Sequence, residues 1–513
     1  MGRVVETDAG SVRGTAGPEG EAFLGIPYAS APVGALRWRP PYASRPWGGV
    51  LDVDRPAPWA PQRPAEAGWV LGGEEVGQSE DCLTLNVWTP ACDSARRPVM
   101  VWLHGGGFVS GSGSAHLYWG SRLATRGDVV VVSINYRLGA LGWLAHPDLT
   151  DPDSGISGNW GLLDQAAALH WVRTNIGAFG GDSDNITVFG QSAGGTAICA
   201  LMAVPVARGL FHRAIIQSGR PLTAPIRVAA ERAEHLAAEV GVKRVSELRE
   251  VPAETIVAAQ STLFEQWRFD LGMAGMAWPP VVDGIVLPTA VLPTVAAGDS
   301  ARVPLLIGTN RDEARSYFVS DDRSFALDGP ALFARLEEYL PRDLARYAVD
   351  IYRGAREARG MPAGPSDVWF AIMTDRAYRV PAMRLAEAHV TREPATFAYL
   401  FDWESPALEG RLGAGHGLEL PFVFGTLDVG GFAAFAGQGA PAWGLSHSMQ
   451  DAWLAFARTG DPSSVALGVW PTYHRPDWTT MILGPRCGLI DAPLEDELRF
   501  WVQNADEALA ARM

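Results

Sequence analysis

Short apolar runs set off by polar or glycine-rich breaks give this 513-residue chain its rhythm. Seven of them read as strands, near 84–89, 98–103, 129–134, 186–190, 213–217, 304–309 and 396–402. Pro98-Val99-Met100-Val101-Trp102-Leu103 and Ile186-Thr187-Val188-Phe189 are nearly unbroken apolar and β-branched runs, the pattern of strands buried on both faces. A β-rich region over about 2–60 precedes them. Two mostly helical excursions, about 221–277 and 316–394, fall between predicted strands and are expected to wall a gorge over the active site. Residues 494–511 read as an amphipathic helix that either packs on the core or forms a dimer face. No repeat, long linker or low-complexity tract interrupts the chain, so the expectation is one α/β domain over 1–513 with a large central, mostly parallel sheet.

Composition narrows the class. A 47% hydrophobic and 19% charged chain is that of a soluble globular protein, and a formal charge of −15 disfavours nucleic acid and anionic membranes as partners. No run of eighteen apolar residues exists, and Met1-Gly2-Arg3-Val4-Val5-Glu6 opens no apolar signal core, so a cytoplasmic location is expected. Cys82, Cys92, Cys199 and Cys487 have no paired spacing, which suggests reduced thiols. No H-E-x-x-H and no cysteine cluster is present, and neither a metal nor an organic cofactor is expected.

The chemistry begins where the fourth strand ends. Gly190-Gln191-Ser192-Ala193-Gly194 is a G-x-S-x-G sequence followed by small residues that open a helix. Such a turn holds a serine hydroxyl clear of the backbone and aims a helix N-terminus at an oxyanion formed there. With 57 glycines in the chain the pattern arises by chance roughly 0.3 times, so its context decides. His104-Gly105-Gly106-Gly107-Phe108 follows the strand at 98–103 and matches an oxyanion loop, in which Gly106, Gly107 and Ala193 would donate their N–H groups. No Lys-Ser/Thr follows, as a phosphate loop would need. His104 precedes the serine and reads as a structural histidine.

An acid and a base are expected after the serine, in that order. Asn310-Arg311-Asp312-Glu313 follows one predicted strand, and a loop with Gly413-Ala414-Gly415-His416-Gly417 follows another, where open α/β sheets build their sites. His389, His447 and His474 have no glycine-rich loop after a strand, so His416 is the candidate base. Asp312 and Glu313 remain equal candidates for the acid.

These segments resemble the type-B carboxylesterases, the carboxylesterase/cholinesterase family of the α/β-hydrolase fold, in their bacterial form. Phe23-Leu24-Gly25-Ile26-Pro27-Tyr28-Ala29, Ser79-Glu80-Asp81-Cys82-Leu83-Thr84-Leu85-Asn86-Val87, Gly161-Leu162-Leu163-Asp164-Gln165 and His416-Gly417-Leu418-Glu419-Leu420-Pro421-Phe422 carry the resemblance in family order, together with the elbow and the HGGGF loop. The resemblance implies an α/β-hydrolase sheet with helical insertions and an acid at Glu313. It implies a serine esterase acting on small to medium carboxylic esters through an acyl-serine, with Ser192 as nucleophile and no cofactor. Phe108, Gln191, Met276, Trp278 and Tyr317 fall at pocket positions, and Ser218 matches a second serine near the site. If Trp278 faces the serine, the acyl side is expected to be small or flat.

Departures matter as much. Most members carry Glu before the nucleophile, where this chain has Gln191, which removes a charge that would attract a cationic alcohol. Cys82 stands at a family disulfide position, but its partner position is Ala60, so that bridge cannot form. The loop between them carries Trp69, Glu74 and Glu75 and is expected to be freer than in secreted relatives. The partner expected is a small ester, with the chain a monomer or homodimer. Amides, carbamates or glycerides as substrates, and a binding or adhesion protein without catalysis, are the other readings.

Overall fold

The computed structural model describes residues 2–63, 76–271 and 275–510. Trp69, Glu74 and Glu75 lie outside the described residues. Eleven strands form one sheet: β1 (Thr15–Gly17), β2 (Gly20–Pro27), β3 (Thr84–Thr89), β4 (Arg97–Leu103), β5 (Val130–Ile134), β6 (Gly181–Gln191), β7 (Arg213–Gln217), β8 (Leu305–Asn310), β9 (Thr396–Phe401), β10 (Thr480–Leu483) and β11 (Gly488–Ile490). Their spatial order is β11-β10-β9-β8-β7-β6-β4-β5-β3-β2-β1. From β5 through β4, β6, β7, β8 and β9 to β10 every pairing is parallel, and antiparallel strands close both edges. All seven strands expected from the apolar runs are present, with β6 beginning five residues earlier than the run at 186.

Alternation along these strands divides the core in two. Val99, Val101, Leu103, Val188, Ala214, Ile216, Leu305 and Ile307 pack on one face with the helices Trp160–Asn175 and Ala193–Ala203. Met100, Trp102, Phe189, Ile215, Leu306, Phe397 and Phe401 pack on the other, against the helix Ala440–Thr459. Buried on both sides, the strands need no polar face, which is why their sequences are nearly unbroken apolar runs.

The excursions are helical as expected. The first holds Ile226–Val240 and Ala253–Leu271, and the second holds Gly329–Glu337, Arg342–Ala358, Pro365–Thr374 and Val380–Val390. A single π turn, Asp375–Arg379, joins the last two. The C-terminal helix Glu495–Ala510 resolves one alternative: its buried Leu498, Phe500 and Trp501 join a third core cluster built on the second excursion. Trp501 Nε1 donates to Tyr352 Oη at 2.6 Å across that contact. Cys82 and Ala60 are both buried in the main core, and Cys82 is a free thiol. Among the described residues no helix is long and apolar enough to cross a membrane.

Candidate active site

Strand β6 delivers the serine. Its last residue is Gln191, and the helix Ala193–Ala203 begins two residues later, with Ser192 between them at φ 57° and ψ −120°. So abrupt a reversal needs bare backbone beside it. A Cβ on Gly194 would stand 2.0 Å from the Leu103 carbonyl oxygen, so only glycine lets the helix approach β4 this closely. The Ser192 N–H donates to the Gln217 carbonyl at 2.9 Å, which ties the elbow to β7.

The loop after β4 lies against this elbow. A Cβ on Gly105 would come within 3.2 Å of Ser192 Cβ and 2.9 Å of the Gln191 carbonyl oxygen. Gly106 and Gly107 follow at φ 109° and 64°, with the Gly106 carbonyl accepting from Val109 and Ser110 at 3.0 Å each. Ala193 is the first residue of its helix, so its N–H has no partner inside the helix. His104 is buried, stacked on Tyr136 at 4.4 Å, with Nδ1 2.8 Å from the Gly105 carbonyl oxygen. Burial pulls its pKa down to about 4, so it is a neutral packing group in the wall of this loop.

Beyond β8 the chain makes a 3₁₀ turn, Glu313–Phe318, that buries the Glu313 carboxylate completely. Glu313 Oε2 lies 2.5 Å from His416 Nδ1, and Oε1 accepts from Ser218 Oγ at 2.5 Å and from the Asn310 N–H at 2.7 Å. Because a carboxylate only accepts, Nδ1 is the donor of this pair, and in the neutral ring the free lone pair is then on Nε2. Nε2 faces the elbow, with Gln191 Nε2 at 3.2 Å. Asp312, the rival acid in the sequence, points the other way. It pairs with Arg311 at 2.8 Å and Arg315 at 3.8 Å and accepts from the Ala414 N–H at 3.0 Å.

The pocket positions divide. Tyr317 lies in the site, its ring tilted against His416 at 5.3 Å. Gln191 is buried between the glycine loop and His416. Phe108 is turned into the core at φ 63° and packs on Trp143 at 4.1 Å, so it is a support of the loop and not an open wall. Met276 and Trp278 are buried in the first excursion; the Trp278 ring meets Trp267 edge-on at 6.0 Å. Among the described residues no hydrogen bond or ring contact joins Trp278 to Ser192 or His416.

Sequence reasoning missed two groups. Tyr378, on the π turn, stands 5.0 Å from the His416 ring, and nothing in its helical segment marks it. Glu419, fully buried, accepts from Asn310 Nδ2 at 2.7 Å and from Gln217 Nε2 at 3.3 Å. Burial, reinforced by the charge of Glu313, pushes it up to about 7. Its place three residues after His416 was the available signal.

Comparison with known proteins places this arrangement. The family model described as the carboxylesterase family matches residues 2–501. The para-nitrobenzyl esterase of Bacillus subtilis is 39% identical over 499 residues, 97% of this chain and 98% of that protein. Phenmedipham hydrolase of Pseudarthrobacter oxydans is 37% identical, covering 94% and 95%, and human cocaine esterase is 34% identical, covering 94% and 86%. Among solved structures, a PNB esterase superposes with a TM-score of 0.86 at 38% identity over 98% of this chain and 99% of that one. A Geobacillus stearothermophilus carboxylesterase gives 0.84 at 36% over 97% and 99%. With its α/β-hydrolase sheet and these relatives, the chain belongs to the carboxylesterase family and is a carboxylic ester hydrolase.

Proposed function

We propose that Ser192, His416 and Glu313 hydrolyse small to medium carboxylic esters through an acyl-serine intermediate. The observation that carries this reading is the Glu313–His416 contact at 2.5 Å, which makes Nδ1 the donor and turns Nε2 toward Gln191, the residue before the serine. His416 takes the Ser192 proton during attack, and Glu313 stabilises the imidazolium. Gly106, Gly107 and Ala193 donate to the oxyanion, each such donor being worth about 10²–10³ in rate. His416 then protonates the leaving alcohol, and water activated by the same ring releases the acid.

Uncharged Gln191 beside Nε2 supports neutral alcohol groups over cationic ones. Met276 and Trp278, on the acyl-side segment, are proposed to limit acyl size through the wall they form with Trp267. Four unbridged cysteines fit a reducing, cytoplasmic setting.

The test is turnover of a p-nitrophenyl ester series from acetate to palmitate, with anilides and glycerides alongside. Short esters should be cleaved fastest, and Ser192→Ala should lose on the order of 10⁴-fold or more in kcat. Undiminished turnover by S192A would remove the serine mechanism, and a preference for anilides or long glycerides would reassign the substrate.

A further inference from the structure

We propose that Gln191 caps the catalytic base: in the resting enzyme its side-chain amide donates to His416 Nε2 and must give way before Ser192 can pass its proton to that atom. This rests on the triad reading above and adds a group outside it.

Gln191 is the last residue of β6 and the one before the nucleophile, and only 4% of it is exposed. Its main chain is in register with Gln217 of β7, so the side chain leaves the sheet from a fixed point. The two ends of the carboxamide then meet different neighbours. Oε1 lies against the glycine loop, where a Cβ on Gly105 would stand 2.9 Å from it. Nε2 is hydrogen-bonded to His416 Nε2 at 3.2 Å, and a Cβ on Gly417 would stand 3.7 Å from it. Among the described residues His416 makes two hydrogen bonds, through Nδ1 to Glu313 and through Nε2 to Gln191, and none to Ser192.

A count of protons gives the contact its meaning. The amide nitrogen of Gln191 has two protons and no lone pair to offer, so it can only donate. In the neutral ring His416 Nε2 has one lone pair, because Nδ1 is the donor to Glu313. The contact is therefore attractive while Nε2 is bare and repulsive once Nε2 carries a proton. Attack needs the same lone pair: Oγ bonds to the carbonyl carbon as its proton moves to Nε2. Gln191 and Ser192 compete for one site. An ionised glutamate here could not compete, having no proton to donate, so the cap belongs to the residue by which this chain departs from most of its family.

The consequence falls on the pH dependence of the rate. The cap stabilises the neutral resting ring and has no hold on the protonated one. Removing it therefore leaves the rate unchanged at low pH, where the ring is protonated with or without the cap. At high pH its loss raises the rate, and the acidic limb of the profile moves upward by the logarithm of that gain. The other groups facing His416 are the Glu313 carboxylate, the Tyr317 and Tyr378 phenols with rings at 5.3 and 5.0 Å, the Arg220 guanidinium over Tyr378 and the buried Glu419. Asp312 and Arg315 lie behind the loop, through the Ala414 N–H. All of these stay the same when only Gln191 is replaced, so a difference between profiles reports Gln191.

The test compares Gln191→Met and Gln191→Ala, which remove the donor with and without keeping the bulk, with the unaltered protein and with Ser192→Ala. Two quantities are read from pH 5 to pH 9: the rate constant for phosphonylation of Ser192 by a neutral fluorophosphonate, and kcat/KM on p-nitrophenyl butyrate. Q191M should raise both plateaus by about 3- to 10-fold and move the acidic limb up by about 0.5–1 pH unit, the scale of one hydrogen bond. The rates at low pH should stay the same. Q191A should show the same pairing of limb shift and gain, and it decides the matter if Q191M does not fold. A limb that stays in place, or a rate lowered equally at every pH, would overturn the proposal and leave Gln191 a packing group. A limb moved to lower pH would overturn it too, because Oε1 would then face the ring and stabilise its protonated form. If S192A kept its turnover, the triad reading itself would fail. If S192A were inactive while Q191M kept the unaltered profile, only the cap would fall.

Discussion

Asp312 and Glu313 are neighbours with the same chemistry, and what each touches separates them. The 3₁₀ turn sends successive side chains in different directions. Asp312 therefore meets Arg311, Arg315 and the Ala414 N–H, while Glu313 meets His416, Ser218 and the Asn310 N–H. Glu313→Gln should leave the fold intact but lower kcat by about 10⁴, because an amide can hold His416 in the wrong tautomer. Asp312→Asn should keep kcat within a few-fold. It should instead lower the urea midpoint, because the half-buried Arg311 and Arg315 each lose one carboxylate partner and the Ala414 N–H loses its charged acceptor. If D312N were the inactive variant, the assignment would be reversed. The sequence could not separate the two residues; only the family resemblance favoured Glu313, and the geometry supplies the physical reason. The same limit applied to Gln191, whose spacing gave a missing charge but not its contact with His416 Nε2.

At the scale of elements, the elbow was legible because its constraint is local. A strand that ends at a serine and reverses at once into a helix needs small residues on both sides, and that need is written in Gly190, Gly194 and Gly195. Gly194→Ala tests the constraint: its Cβ would meet the Leu103 carbonyl oxygen at 2.0 Å, so β4 and the helix must separate. The expected result is a loss of about 1–3 kcal/mol in stability, read by denaturant unfolding, with a larger proportional loss of activity because the glycine loop follows β4. An unaffected G194A would show that the helix can shift freely. The π turn at Tyr378 was not legible. One extra residue in a helical turn leaves no periodic mark, so its inward phenol emerged only when the second excursion was packed over β8.

Across the whole molecule, stability and site share buried charge. Glu419 and Glu313 lie at the ends of β8 and the His416 segment, joined through Asn310, whose N–H binds one and whose side chain binds the other. Glu419 titrates near 4.5 when unfolded and near 7 when folded. Between those values the unfolded chain releases its proton first, so raising the pH favours unfolding, and below 4.5 the penalty is absent. Glu419→Gln cannot titrate. Its stability relative to the unaltered protein should therefore rise across that window by on the order of 3 kcal/mol, measured as urea midpoints at pH 5 and pH 8. A difference that does not change with pH would show that Glu419 keeps an ordinary pKa. The sequence by itself determined the strands, the elbow, the glycine loop and the helical character of both excursions. Each follows from local rules, namely burial on both faces, backbone crowding and periodicity, which act between residues close in the chain. Tertiary structure alone decided which carboxylate meets His416, that Phe108 turns into the core, that Trp278 packs on Trp267, and that Tyr317 and Tyr378 meet beside His416. Those contacts join residues from about ten to about a hundred positions apart, and their directions are set by tertiary packing, which no local pattern encodes.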